Sequence, residues 1–300
     1  MIISKLDQLF EVLKNKSKKR MVAAYAIDAH TIEAINKAVE MGIIEATLVG
    51  DIPTIQNVCK QENIDFSKFE LIQESDPQKA ADKSCMLIND GKADFIMKGL
   101  VSTDQYMRAL LNKETGLVKP KSILSHVTVM ESPAYHKLLI YGDVAIIPAP
   151  EMPEKIAITN YLIKTAHSLG IEKPKVAIIA ASEQVSIKMQ ATIDASILSK
   201  MGDRGQFKNA LIDGPLALDV AIDEESAKIK NLKGEVAGNA DCLVFPNIEA
   251  GNVFYKTNTK LAGGVLGAMV LGAKVPAVLS SRGDSVETKL YSIGLAALQA

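Results

Sequence analysis

The sequence has little cysteine. Cys59, Cys85 and Cys242 are its only three in 300 residues, they lie far apart, and no C-x-x-C pair occurs. So sparse and odd a set excludes a disulfide framework and a cysteine-based zinc site, and leaves buried free thiols as the expectation. Histidine is scarce too. His30, His126, His136 and His167 form no H-x-x-x-H pair, so no transition-metal centre is expected. No apolar run approaches the roughly 18 residues that span a bilayer. The first twenty residues lack a secretory pattern; instead Ile2, Leu6, Leu9, Phe10 and Leu13 recur at helical spacing. A net charge of -1 lacks the basic excess that nucleic-acid binding demands. The expectation is a cytoplasmic protein with neither a membrane nor a nucleic acid as partner.

Several chemical signatures are missing as well. There is no G-x-x-x-x-G-K-[ST], no G-x-G-x-x-G, no G-x-S-x-G and no H-E-x-x-H. Walker-type nucleotide binding, a standard dinucleotide site, the hydrolase nucleophile elbow and zinc-protease chemistry all lose their usual carriers.

What is present is an apolar share of 48%, enough for a sizeable core, in a chain long enough for two domains. Short β-branched runs alternate with amphipathic stretches. Residues 20–25, 45–50, 69–72 and 94–97 read as strands. Residues 31–41, 53–62 and 76–89 read as helices between and after them. This βαβα rhythm implies a parallel sheet with helices on both faces. Around residue 130 the character changes. Residues 125–130 and 137–147 read as adjacent strands, with antiparallel pairing left open. Helices follow at 153–169 and 189–201, strands at 175–180, 209–212 and 242–245, and a polar helix at 224–234. Residues 251–269 read as a loop that becomes an apolar helix. A strand at 277–279 and a helix at 285–299 close the chain. The apolar stretch 261–275 suits a core or an interface equally.

In open α/β sheets, ligands bind beyond the carboxyl ends of strands. Three such loops carry the right chemistry. The first is Met97-Lys98-Gly99-Leu100-Val101-Ser102-Thr103. Lys98 brings charge, Gly99 permits close backbone approach, Ser102 or Thr103 caps the next helix, and Arg108 follows about a turn later. The second, residues 245–256, holds Asn247, Glu249, Gly251, Asn252 and Lys256 after a buried strand. The third is Ser280-Ser281-Arg282-Gly283-Asp284-Ser285, where serines, an arginine and a helix N-terminus suit a phosphate or an oxyanion. Each loop equally makes an ordinary capped helix with solvated charges. Arginine use weighs toward anions. Of 34 basic residues only Arg20, Arg108, Arg204 and Arg282 are arginine, the residue whose planar fork suits phosphate and carboxylate, and two of them fall near these loops.

Taken together the loops resemble the phosphate acetyl/butyryltransferase family. The resemblance is carried by residues 238–256 (GNADCLVFPNIEAGNVFYK) and 280–286 (SSRGDSV). Asp213-Gly-Pro-Leu-Ala-Leu-Asp219, Lys98-Gly-Leu-Val-Ser102 and Tyr141-Gly-Asp-Val-Ala145 also match. The matches run in the family's order from about residue 20 to the C-terminus. Asp213 to Asp219 and Lys188 to Asp194 place the chain near the phosphate butyryltransferase branch. Where the acetyl branch has a cysteine after the Gly-Asp pair, this chain has Val144. Where that branch carries an aspartate after the Ser-Arg-Gly loop, it has Thr288, with Glu287 or Asp284, or neither, to stand in.

The resemblance implies an α/β fold of two doubly wound lobes with a cleft between them, an architecture like that of isopropylmalate dehydrogenase. The first lobe would comprise residues 1–130 plus 270–300, and the second 131–269. It implies reversible transfer of a short-chain acyl group, butyryl foremost, from acyl-CoA to inorganic phosphate, with coenzyme A as substrate rather than cofactor. It also implies a homo-oligomer. Ser281, Arg282 and Arg108 would carry catalysis. Lys98, Gly99, Ser102, Thr103, Asp213, Asn247, Glu249, Asn252 and Lys256 would bind substrates, and no metal would be needed. The alternatives are a phosphate acetyltransferase, a non-catalytic acyl-CoA-sensing domain of the same fold, and a metal- and NAD-dependent dehydrogenase of related architecture.

Overall fold

The computed structural model describes residues 2–281 and 283–300. These divide into two compact units, one of the described residues within 6–124 and 266–300 and one of residues 2–5 with 125–265.

In the first unit, short segments form strands that, apart from the edge strand Glu70–Gln73, are buried along most of their length, as parallel strands covered on both faces must be. They are β1 (Lys19–Ala24), β2 (Ile44–Gly50), β3 (Glu70–Gln73), β4 (Phe95–Lys98), β10 (Val265–Leu271) and β11 (Ala277–Val278). Their order is β3-β2-β1-β4-β11-β10. All neighbours are parallel except β10 and β11.

Each carboxyl end except that of β10, which leads into β11, runs into a helix whose first turn is capped by a side-chain oxygen. Asp28 caps α2 (Ala29–Glu40), Asp51 caps α3 (Ile52–Gln61) and Asp76 caps α4 (Pro77–Asn89). Ser102 caps α5 (Thr103–Leu110) and Ser285 caps α11 (Val286–Gln299). The caps satisfy amide donors that a helix leaves orphaned, and they fix where each strand–helix loop ends. The amphipathic N-terminal stretch forms α1 (Gln8–Lys14), and α11 packs against α1 and α2.

In the second unit, β5 (Ser125–Glu131) and β6 (Leu139–Gly142) pair antiparallel. β7 (Lys175–Ile179), β8 (Leu211–Leu216) and β9 (Cys242–Val244) complete the order β5-β6-β9-β7-β8, parallel from β6 onward. Its helices are α6 (Met152–Ser168), α7 (Gln190–Asp203), α8 (Leu218–Ile222), α9 (Glu224–Ile229) and α10 (Ile248–Lys260). No helix among the described residues is long and apolar enough to cross a membrane.

The segment 251–269 differs from the sequence expectation. Its polar first half is helix α10, and its apolar second half is strand β10. Gly263, at φ +67, separates them. A short apolar run does not show its period, and here length and Val265 and Val270 decide for strand. The polar residues of α10 fall on its exposed side, which made the segment read as a loop.

One buried ion pair ties α6 to α7. Lys155 Nζ meets Asp194 Oδ2, with both side chains at or below 10% exposure, and Gln190 Nε2 donates to the other carboxylate oxygen at 2.8 Å. Removing one partner strands a buried charge, whereas replacing both with apolar groups does not. Asp194→Ala is expected to lower unfolding stability by about 3–5 kcal/mol. Lys155→Met combined with Asp194→Leu should recover most of it in urea denaturation. A double variant no more stable than the single one would refute this account.

Candidate active site

At the carboxyl end of β1 the chain turns sharply at Tyr25, which sits at φ 56. At the end of β4, the Gly99 amide donates to Ala24 O at 2.9 Å and the Leu100 amide to Tyr25 O at 2.9 Å. A Cβ on Gly99 would stand 2.5 Å from Tyr25 O, so only glycine permits this approach. Gly99 thus brings two backbones together as well as facing the space in front of them. Lys98 is buried, and its Nζ donates to the carbonyls of Gly99 at 3.1 Å and Val101 at 2.9 Å. Its charge is engaged within its own loop.

The loop after β11 arrives beside the other two. Ser280 is buried, and its hydroxyl faces Lys98 O at 3.5 Å. The Ser281 amide donates to Asp284 Oδ2 at 2.7 Å and the Asp284 amide returns to Ser281 O at 3.2 Å, closing a tight turn. Ser281 is exposed at its tip. Arg282, expected as a catalytic residue, lies outside the described residues. Lys289, in the first turns of α11, donates to Ser280 Oγ and to Ser281 O, each at 3.1 Å. Burial pulls its amine below the usual lysine range, against the opposing pull of Asp28 and Asp284.

A cavity of about 270 Å³ is lined by Asp28, Ala29, His30 and Thr31 from the start of α2, by Gly99 and Leu100, and by Lys289. It lies where strand ends meet a helix N-terminus, whose partial positive charge favours anions.

The remaining expected residues divide as follows. In the same unit, Ser102 and Thr103 open α5 through a capping box with Gln105, and Arg108, three-fifths or more exposed, pairs with Asp104 one turn back. The second unit holds the rest. Asn247 caps α10 through Ala250 N at 3.0 Å, and Asn252 Nδ2 donates to Val144 O at 3.0 Å. Glu249 and Lys256 are exposed on α10, with the Lys256 ammonium 5.0 Å from the Tyr255 ring centre. Asp213 lies in β8 and accepts from the Gly214 amide at 2.8 Å; burial raises its carboxyl above the usual range.

The motif Tyr141 to Ala145 also has a structural reading. Asp143 is buried and accepts from Ser125 Oγ, His126 N, Ala145 N and Ile146 N at 2.7–3.1 Å. Gly251 lies against its carbonyl, where a Cβ would stand 2.5 Å from Asp143 O. The motif therefore seats α10.

Asp28, His30 and Lys289 were not singled out from the sequence. Asp28 and His30 follow a strand, so the rule that found the other loops applied to them equally. Lys289 sits in an apolar helix and gave no signal. The three thiols are buried and unbridged, and burial pushes Cys85 up to about 12 and holds Cys242 well above its ordinary value, which makes both poor nucleophiles. Among the described residues, no group of three or more His, Cys, Asp or Glu side chains is placed to hold a metal ion.

Comparison with known proteins supplies the family. The model described as "Phosphate acetyl/butaryl transferase" matches residues 4–84 and 77–297. A phosphate butyryltransferase of Clostridium acetobutylicum is 46% identical over 299 residues, covering 100% of this chain and 99% of that one. A phosphate acetyltransferase of Thermotoga maritima is 39% identical over 293 residues, covering 98% and 99%. Among solved structures, a branched-chain phosphotransacylase from Enterococcus faecalis superimposes with a TM-score of 0.82 at 28% identity, covering 94% of this chain and 98% of that one. With the mixed α/β fold, the strand-end loops and matches along its whole length, the chain belongs to the phosphate acetyl/butaryl transferase family.

Proposed function

We propose that the chain transfers a short-chain acyl group, butyryl foremost, between acyl-CoA and inorganic phosphate, giving acyl phosphate and CoA. The observation that carries this is the 46% identity, end to end, to a phosphate butyryltransferase. The 39% identity to a phosphate acetyltransferase keeps acetyl transfer as the second reading.

The chemistry suits a site that holds anions. A phosphate oxygen attacks the thioester carbonyl and forms the new C–O bond. The tetrahedral oxyanion collapses, the C–S bond breaks, and the sulfur leaves as thiolate and takes up a proton from solvent. Phosphate is already anionic at neutral pH, so holding it and stabilising the oxyanion are the main tasks. Arg282 and Arg108 are assigned to the phosphate for their guanidinium geometry. The exposed pair of Arg108 with Asp104 is of a weak kind and is readily given up. Ser281 is assigned a hydrogen bond to the carbonyl oxygen or the departing sulfur. Gly99 fits close contact with substrate. Glu249, Lys256 and Asp213 fit polar contacts to it, and Ser102 and Thr103 fit a helix-terminal anion contact. Lys98, Asn247 and Asn252 are assigned to shaping loops. No cofactor is assigned.

A cytoplasmic homo-oligomer is part of the reading. Unbridged buried thiols fit a reducing compartment, and exposed Ile187, Val253 and Leu261 fit a covered face. A single-chain mass by light scattering would sink the oligomer.

Specific activities with acetyl-, propionyl-, butyryl- and isobutyryl-CoA should peak at butyryl; a peak at acetyl favours the second reading. In the same assay Arg282→Ala and Arg108→Ala should each lose roughly 10²-fold or more in turnover while remaining folded. A chelator should change nothing. Near-wild-type turnover and phosphate affinity in both variants would show that the anion site is elsewhere.

A further inference from the structure

We infer that Lys289 is a positioning residue of the active site, holding the Ser280–Ser281 turn, and with it the Ser281 hydroxyl, in its working arrangement. The inference deepens the acyl-transfer reading and rests on it.

Lysine is out of place here as a packing residue. Every residue of α11 from Lys289 to Leu298 is buried, and Lys289 itself is 3% exposed. Burying an ammonium is unfavourable unless its protons are satisfied. Its hydrogen bonds go to one short segment, the Ser280 hydroxyl and the Ser281 carbonyl. Among the described residues, Ser281, Gly283 and Ser285 are exposed, and the segment's other contacts are the exchange between Ser281 and Asp284, the Gly283 amide on Ser281 Oγ at 3.4 Å and the Ser280 contact to Lys98 O. Lys289 also lines the cavity that the start of α2 and Gly99 border. It thus links the helix core, the turn that carries Ser281 and the space where an anion fits. Packing alone would be served by Met or Leu, which cannot hold a carbonyl and a hydroxyl at once.

The charged and titratable groups around it are Asp28 and His30 from α2, Lys98 from the end of β4, and Asp284 from the turn. With the proton on, both contacts are charge-assisted and stronger. Burial lowers the pH at which that proton leaves. Activity should therefore fall as pH rises, in a limb that starts below the ordinary lysine range.

The test compares the wild type with Lys289→Met and Lys289→Arg in butyryl-CoA-dependent phosphate acylation, with thermal melts of each. Lys289→Met should fold, lose roughly tenfold to a hundredfold in kcat, and keep its KM for acyl-CoA within about twofold. Lys289→Arg, whose guanidinium stays protonated at these pH values, should recover part of kcat and shift the alkaline limb upward. A wild-type kcat in Lys289→Met overturns the inference. So does an unmoved limb in Lys289→Arg, which keeps the test open should Lys289→Met fail to fold. A wild type with no phosphate-dependent CoA release overturns the acyl-transfer reading instead, so the two failures are distinct.

Discussion

The candidate site depends on a two-residue ladder. Strand β11 pairs with β4 through Ala277 opposite Ile96 and Val278 opposite Met97, both parallel. This seats residues from near the end of the chain beside residues some 180 positions earlier. Without it the turn at Ser280 and Ser281 has no reason to lie near Gly99, and Lys289 has nothing to reach. Two ladder positions are little by themselves. What secures them is the helix that follows, whose face from Lys289 to Leu298 is buried against its own unit. The hydrophobic burial of α11 therefore fixes a polar arrangement at its first turn. Apolar area supplies the free energy, and hydrogen-bond geometry supplies the precision.

Two of the three buried lysines, Lys98 being the third, show different solutions to the same problem. Lys155 is neutralised by direct contact with Asp194, and the pair holds α6 to α7. Lys289 meets neutral oxygens, with the charges of Asp28 and Asp284 acting on it from further off. A direct ion pair is self-contained and exerts little field beyond itself. A cation satisfied by a hydroxyl and a carbonyl keeps more of its potential, and it does so at the wall of a cavity. The first arrangement suits structure, and the second suits a site that handles anions.

Much of the fold was legible in the sequence because its local signals agree. Each strand of the first half ends in a short polar loop, and Asp28, Asp51, Asp76 and Ser102 stand where a cap belongs, so the βα alternation follows from caps and apolar runs alone. The legibility fails where signals are short or non-local. α8, at five residues, was too short to read. β10 reads as helix in the sequence because seven apolar residues do not show a period. The site was legible by position in the chain but not by contact. The loops at Lys98, Asn247 and Ser281 were found by their place after strands. That Lys98 turns back on its own carbonyls, that Asn247 and Asn252 fasten α10, and that Lys289 reaches Ser281 depend on packing between distant segments.

The carboxylate that the acetyl branch carries after the Ser-Arg-Gly loop is replaced here by Thr288, and the structure gives that position a different task. Its amide and hydroxyl both meet Ser285 Oγ at 3.1 Å, completing the cap of α11. Asp284 is occupied with the Ser281 amide, and Glu287 is exposed in the first turn of the helix. No carboxylate stands at position 288 itself. Under the proposed reaction this is less of a deficit than it looks. Phosphate needs no base to attack, and a thiolate with a reference pKa of about 8.5 is an acceptable leaving group near neutrality. Only the reverse direction requires the thiol to ionise. There, positive potential from a helix N-terminus and a buried lysine would lower the thiol's pKa, and solvent would take its proton. A site that relies on fixed positive charge can therefore serve both directions with no carboxylate at position 288.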